Sequence, residues 1–276
     1  MPHASNPHAT TVLTVDVGNT STHFGAFRIS DGNELELLDR CELATNPAAT
    51  KDEARIQLGQ VLELMGRPVI EGSILSCVVP SLSDPWRRAL ASTGAGRPLV
   101  VGPGLKTGIS LRFDDPGEVG SDRIADAVAV QERYGAPALA IDLGTTTNFE
   151  IIDSKGAFCG GIIAPGVALG AQSLSQAAAR LPMIELRAPK RAIGRNTREA
   201  MQSGTVLGEA ARIDGLIDIL LKEMTDTGLC DETSDAPIVI TGAGADRMAH
   251  LIAHDAIIDE ALTLYGLALL WQRNRR

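Results

Sequence analysis

Short apolar runs broken by turn residues set the rhythm of this chain. Val12-Leu13-Thr14-Val15 is a β-branched run that stops at Asp16-Val17-Gly18-Asn19-Thr20. Strand signals resume at His23-Phe24-Gly25-Ala26-Phe27 and near Leu35-Glu36-Leu37-Leu38, which predicts a hairpin followed by a third strand. Residues 51–65 carry Ile56, Leu58, Val61, Leu62 and Met65 at roughly helical spacing. Residues 74–79 predict a buried strand ending at Pro80, residues 86–91 a helix, and residues 99–101 another strand. Leu139-Ala140-Ile141 then stops at Asp142-Leu143-Gly144-Thr145-Thr146-Thr147, and Phe149-Glu150-Ile151-Ile152 returns. Ile238-Val239-Ile240 leads into Thr241-Gly242-Ala243-Gly244, and a helical pattern closes the chain.

The same device therefore occurs twice: apolar strand, Asp-x-Gly-(Asn/Thr)-Thr, returning strand. The copies lie 126 positions apart (142 minus 16). A repeat on this scale implies a duplicated fold unit. The expected organisation is a disordered leader over residues 1–11 and two α/β halves over 12–134 and 135–276, facing each other across a cleft. The boundary is expected near residues 133–137, where a Gly-Ala-Pro turn precedes the second copy.

Composition narrows the function classes. Of 276 residues, 44% are hydrophobic and 21% charged, as in a soluble globular protein. The net charge of −9 and 3% aromatic content argue against nucleic acid as a partner, which requires a basic surface and stacking platforms. An anionic small molecule stays open, because a few local cations outweigh a diffuse negative field. Cys41, Cys77, Cys159 and Cys230 form no CxxC pair, so they suggest thiols in a reducing cytoplasm. No apolar run reaches about 18 residues, so no membrane span is expected. The N-terminus lacks the apolar stretch of a signal peptide.

The loops carry the candidate chemistry. In Asp16-Val17-Gly18-Asn19-Thr20, a turn exposes backbone N–H groups and a hydroxyl that suit phosphate oxygens, and the Asp16 carboxylate can hold hydrated Mg²⁺ beside them. A single copy would read as an ordinary turn; two matched copies read as phosphate binding. Gly120-Ser121-Asp122-Arg123 opens a helix near Ser121. There Asp122 can take a proton from a hydroxyl and Arg123 can grip a carboxylate, or the pair can simply complement the helix start. Residues 159–166 read as a strand with a Pro165-Gly166 turn before a helix from about Val167. Gly194-Arg195-Asn196-Thr197 precedes a helix over 198–212, with Thr197 a plausible N-cap. Other nucleotide motifs fail. Lys106-Thr107 lacks the spacing of a P-loop, and Arg247 stands where a third glycine of G-x-G-x-x-G would be. The Thr241–Gly244 loop suits adenosine instead.

In order and spacing, these loops resemble the type III pantothenate kinases. The Leu262-Thr263-Leu264-Tyr265-Gly266-Leu267 ending does so too, and the match spans about residues 12–274. The resemblance implies the duplicated ribonuclease-H-like fold of acetate and sugar kinases and actin. It implies a cytoplasmic homodimer that phosphorylates pantothenate to 4′-phosphopantothenate with ATP, the first step of coenzyme A synthesis. Mg²⁺ is implied with ATP, and K⁺ or NH₄⁺ as a monovalent cation. By position, Asp122 matches the catalytic base. Gly120, Ser121, Asp122, Arg123, Thr197 and Phe113 match pantothenate contacts. Asp16, Val17, Gly18, Asn19, Thr20, Ser21, Thr22, His23 and Thr145 match ATP contacts, with Asp16 reaching Mg²⁺ through water. Asp142 matches the monovalent-cation ligand. The family usually carries tyrosine where Phe113 stands, and Ala-Thr-Thr-x-Asp in the region of Thr146-Thr147-Asn148-Phe149-Glu150. A non-catalytic regulatory or ligand-binding homologue of the same fold is the alternative reading.

Overall fold

A computed structural model describes residues 9–30, 32–231 and 236–275. Most of the expected leader lies outside these residues. Its last two positions, Thr10 and Thr11, already belong to the first strand.

β1 (Thr10–Val17), β2 (Ser21–Ile29) and β3 (Leu35–Ala44) form an antiparallel meander. α1 (Lys51–Leu64) leads to β4 (Gly72–Cys77), which lies parallel to β1. α2 (Pro80–Ala91) leads to β5 (Leu99–Val100), and α3 (Ser121–Tyr134) follows. The pattern then repeats. β6 (Ala138–Leu143), β7 (Thr146–Ile152) and β8 (Phe158–Pro165) form a second antiparallel meander. After it come α4 (Val167–Ala177), α5 (Thr197–Gln202), a π-helical turn at Ser203–Leu207 and α6 (Gly208–Asp226). β9 (Ile238–Thr241) pairs parallel with β6; α7 (Ala245–Ala249), β10 (Ile257–Ile258) and α8 (Leu262–Asn274) finish the chain.

The sheet orders are β3-β2-β1-β4-β5 and β8-β7-β6-β9-β10, with the same pattern of parallel and antiparallel neighbours. The expected duplicated ribonuclease-H-like, actin-type architecture is the one the chain adopts. Two compact units result: Met1–Ser110 with Asp114–Ala129 and Ala261–Arg276, and Leu111–Phe113 with Val130–Glu260. This division differs from a linear split at 134/135, because α8 packs on β1, β2 and β4 of the first unit.

Each core follows from strand alternation. Leu13, Val15 and Val17 point to one face of the first sheet, where Leu58, Val61, Leu82 and Trp86 of α1 and α2 cover them. Thr14 and Asp16 consequently lie on the other face, the side of Leu264 and Ala268 of α8. In the second unit Leu139 and Ile141 meet Ile213 and Ile217 of α6 in the same way. Thr50 and Glu53 cap α1 reciprocally.

Several elements run longer than the sequence pattern predicts. β3 extends to Ala44 because an edge strand tolerates the charged residues Asp39, Arg40 and Glu42. α2 begins at Pro80, which ends one element and opens the next, since its missing N–H costs nothing at the first helical position.

Trp86 is 2% exposed, and its ring meets Phe24 at 5.3 Å between centroids. We predict that Trp86→Ala lowers unfolding stability by about 3–5 kcal/mol. Urea denaturation checks this, and a midpoint equal to wild type would show that α2 is held mainly by other contacts.

Candidate active site

In the first unit, Asp16 stands near the end of β1, between His23 of β2 and Ser76 of β4 in the strand register. The Gly18 N–H donates to the Ser21 carbonyl at 2.9 Å and closes the turn. Asn19 and Thr20 are exposed at its tip. The turn is braced from just past the end of β3: the Thr45 N–H donates to the Thr20 carbonyl at 2.8 Å, and the Thr22 and Thr45 hydroxyls lie 2.8 Å apart. Val17 is fully buried in the core and offers a ligand only its main chain. Burial holds the His23 imidazole below its ordinary range; Glu42 pulls it up and Arg40 presses it further down.

The start of α3 is bolted to the end of β4. The Ser121 hydroxyl lies 2.8 Å from the Ser76 hydroxyl and accepts the Cys77 N–H at 3.2 Å. Because Ser76 sits opposite Asp16, this bridge brings Asp16, Ser121 and Asp122 to the same sheet edge. Asp122 Oδ1 accepts the Arg123 N–H at 2.8 Å. A Cβ at Gly120 would lie 2.5 Å from that oxygen, so the first residue of the motif leaves room for the carboxylate. Burial pushes the Asp122 carboxyl above its ordinary value, against the pull of the Arg123 N–H and charge.

In the second unit Asp142 occupies the matching place near the end of β6, with Asn148 opposite it. Gly144 and Thr145 form the exposed turn, closed by the Gly144 N–H on the Thr146 carbonyl at 3.0 Å. The β8–α4 corner presses on this turn: the Gly166 N–H donates to the Thr145 carbonyl at 3.1 Å, and any side chain at Gly166 would strike the Gly144 and Thr145 carbonyls. The close approach to this turn is therefore made by Gly166. A Cβ at Gly242 would fall 2.5 Å from Asp142 Oδ1, so the glycine keeps a space open beside that carboxylate. Asn148 is 7% exposed, and its Oδ1 has no hydrogen-bond partner among the described residues.

Two expected contacts have other local roles. Asn196, rather than Thr197, is the N-cap of α5, accepting the Glu199 N–H at 2.9 Å, while Thr197 is exposed at the first helical position. The amide at 196 reaches back to the first turn better than the shorter hydroxyl one residue inside it. Phe113 packs edge-on against Phe158 at 4.9 Å between centroids. Ser76, Glu209 and Arg212 escaped the sequence reading. Ser76 carried a usable signal, since it is a polar residue near the end of an apolar strand. Among the described residues no three His, Cys, Asp or Glu side chains form a metal cluster. Asp16 and Asp142 would each serve an ion alongside water, backbone oxygen or phosphate.

A family model for type III pantothenate kinase matches residues 12–219. The chain belongs to the type III pantothenate kinase family. A type III pantothenate kinase of Thermomicrobium roseum is 40% identical over 267 residues, covering 96% of this chain and 98% of the relative. One from Exiguobacterium sibiricum is 38% identical over 270 residues, covering 96% and 100%. Among solved structures, a Campylobacter jejuni protein assigned to the Baf family of transcriptional activators is 20% identical with a TM-score of 0.56, covering 95% of this chain and 98% of its own. At that identity the likeness speaks for the fold alone.

In this family member, Ser121→Ala would strip partners from the buried Ser76 hydroxyl and the Cys77 N–H. A loss of about 1–3 kcal/mol in urea-measured stability is expected, the usual cost of an unsatisfied buried polar group. Stability unchanged from wild type would mean the bridge does not hold α3 to β4.

Proposed function

We propose that this chain transfers the γ-phosphoryl group of ATP to the 4′-hydroxyl of pantothenate. The observation that carries the reading is Asp122, a carboxylate raised by burial at the first turn of α3 and tied through Ser121 to the strand end beside Asp16. Its place in a chain so similar to the named kinases supplies the substrate.

In the proposed reaction, Asp122 accepts the hydroxyl proton as the alcohol oxygen attacks the γ-phosphorus. The new O–P bond forms while the bond to the β–γ bridging oxygen breaks, and ADP departs with that electron pair. Arg123, with Gly120, Ser121, Phe113 and Thr197, is proposed to hold the pantothenate carboxylate and amide. The turn from Asp16 through His23, with Thr145, is proposed to receive the phosphates on N–H and hydroxyl groups.

Mg²⁺ would be held by Asp16 through water, where it offsets charge on the phosphate oxygens. A monovalent cation, K⁺ or NH₄⁺, would sit against Asp142, in the space Gly242 leaves open. The homodimer is part of the proposal. Ile163, Leu169, Leu174, Met183 and Ile193 are exposed apolar side chains on β8, on α4 and in the segment that follows, a surface a second copy would cover. Its free cysteines and its substrates suit the cytoplasm, and among the described residues no helix is long and apolar enough to cross a membrane.

A coupled ADP-release assay with pantothenate, ATP and Mg²⁺ in K⁺ or Na⁺ tests the reading. Binding of both substrates without turnover would make the chain a non-catalytic homologue. Asp122→Asn is expected to leave ATP binding intact and lower kcat about 10²–10⁴-fold, the usual contribution of a positioned base. The sign of the pH dependence follows from burial. The charged form is the active one, so kcat/KM falls as pH drops through a pKa above the ordinary aspartate value. The Asn variant should lack that acid limb; a variant that retains it would assign the limb to another group.

Asp142→Ala is expected to abolish the response to K⁺. Titrating K⁺ against Na⁺ in both proteins decides it, and an unchanged response would place the ion elsewhere.

A further inference from the structure

Beneath the second turn lies a charged pair that the proposed reaction does not use. Glu209, on α6, has a side chain 4% exposed. One of its oxygens accepts the Thr147 hydroxyl at 2.6 Å, and the other pairs with Arg212 one helical turn on. Arg212 in turn donates to the Pro165 carbonyl at 2.6 Å.

The partners of this pair frame the Gly144–Thr145 turn on both sides. Thr147 lies two residues beyond Thr145 on β7, facing Leu143 across the hairpin. Pro165 is paired with Thr146 and immediately precedes Gly166, whose N–H holds the Thr145 carbonyl. One carboxylate and one guanidinium thus fix the strand that leaves the turn and the corner that presses on it. Burying a carboxylate is costly unless it is paired and hydrogen-bonded, and an apolar pair would fill the same volume without that cost. What an apolar pair cannot supply is direction: it has no means of gripping a hydroxyl and a carbonyl at fixed angles. The π-helical turn at Ser203–Leu207 bears on the same point. It inserts an extra residue just before α6 and so rotates the helix face on which Glu209 and Arg212 both lie.

We infer that Glu209 and Arg212 are positioning residues for the second loop, setting where Thr145 meets the nucleotide and where Asp142 meets the monovalent cation. The inference rests on the reading of that loop as a nucleotide and cation site.

The test combines calorimetric titration of MgATP, steady-state kinetics, thermal melting and amide exchange of residues 143–147 and 166. These are measured for wild type, Glu209→Ala, Glu209→Gln and Arg212→Lys. Glu209→Ala is expected to raise Kd and KM for ATP by about 10–100-fold, as loss of a charged hydrogen-bonding partner at a binding loop does, with KM for pantothenate changed less than about 2-fold. Exchange should quicken in the turn ahead of the rest of the second sheet. Glu209→Gln keeps an acceptor oxygen for Arg212 and turns an N–H to the Thr147 hydroxyl, which can accept it, so it should recover most of the ATP affinity. Arg212, one third exposed, tolerates replacement better. Arg212→Lys should melt close to wild type yet bind ATP more weakly, because a single guanidinium nitrogen, Nη2, meets both Glu209 and Pro165, and the shorter lysine side chain cannot bring its ammonium to that place. Folded variants with wild-type ATP affinity and unchanged exchange in the turn would overturn the inference. A wild-type protein that does not bind MgATP would instead overturn the functional reading, while the exchange data would still report on the clamp.

Discussion

Asp16 and Ser76 stand opposite one another where β1 and β4 end, and the position of everything else in the first unit's candidate site depends on that pairing. Parallel strands cannot be joined by a short turn, so the chain must leave and return through α1 before β4 can lie beside β1. Once it has, a hydroxyl on β4 faces the carboxylate on β1. Ser121 extends the register by one more bridge, from sheet to helix. The helix start inherits the sheet's rigidity, and Asp122 follows Ser121 directly. The base proposed here has its position set by main-chain register more than by its own packing. That suits a group that must reach a hydroxyl proton within hydrogen-bond distance.

The duplication makes the two units comparable residue by residue, and the differences are informative. Asp16 faces His23, whereas Asp142 faces Asn148, because the first turn is one residue longer. The longer turn is braced from outside by Thr45, just past the end of the edge strand. The shorter one is braced by the Gly166 corner and, beneath it, by Glu209 and Arg212. Both solutions satisfy the same requirement: a tight, exposed turn has few internal hydrogen bonds, so neighbouring elements must fix it.

The strand–Asp–Gly–Thr pattern was legible because its determinants are local: β-branched runs, a turn glycine and alternation within a few residues. The duplicated architecture followed from seeing that pattern twice. β3 was legible only at its start, since its charged half, Asp39 to Glu42, has no apolar alternation and owes its extended form to pairing with β2. α6 was cut short at residue 212 because the π turn breaks the helical period between Gln202 and Gly208. Thr197 and Asn196 are adjacent capping residues whose roles only backbone geometry separates. The Glu209–Arg212 pair looks in sequence like any exposed i, i+3 ion pair on a helix. Its burial against Thr147 and Pro165 is a tertiary fact that no local pattern carries.

A net charge of −9 sits oddly with two anionic substrates until charge is considered locally. Long-range repulsion opposes binding, so recognition must come from groups within a few ångströms, where screening and distance suppress the distant field. The chain concentrates donors there without adding basic residues. In the proposed site two tight turns and a helix start would supply main-chain N–H groups, and Arg123 is the cation beside the proposed base. Asp16 and Asp142 look counterproductive beside phosphate only if counted as bare charges. Each stands where a cation would convert it from a repulsive group into part of a coordination shell. Asp122 differs in kind: burial raises its proton affinity, which suits the proton-accepting role proposed for it, whereas the role proposed for the other two is to share an ion. In the proposed reaction three aspartates near strand or helix ends thus take two chemical roles, and the environment of each side chain decides which.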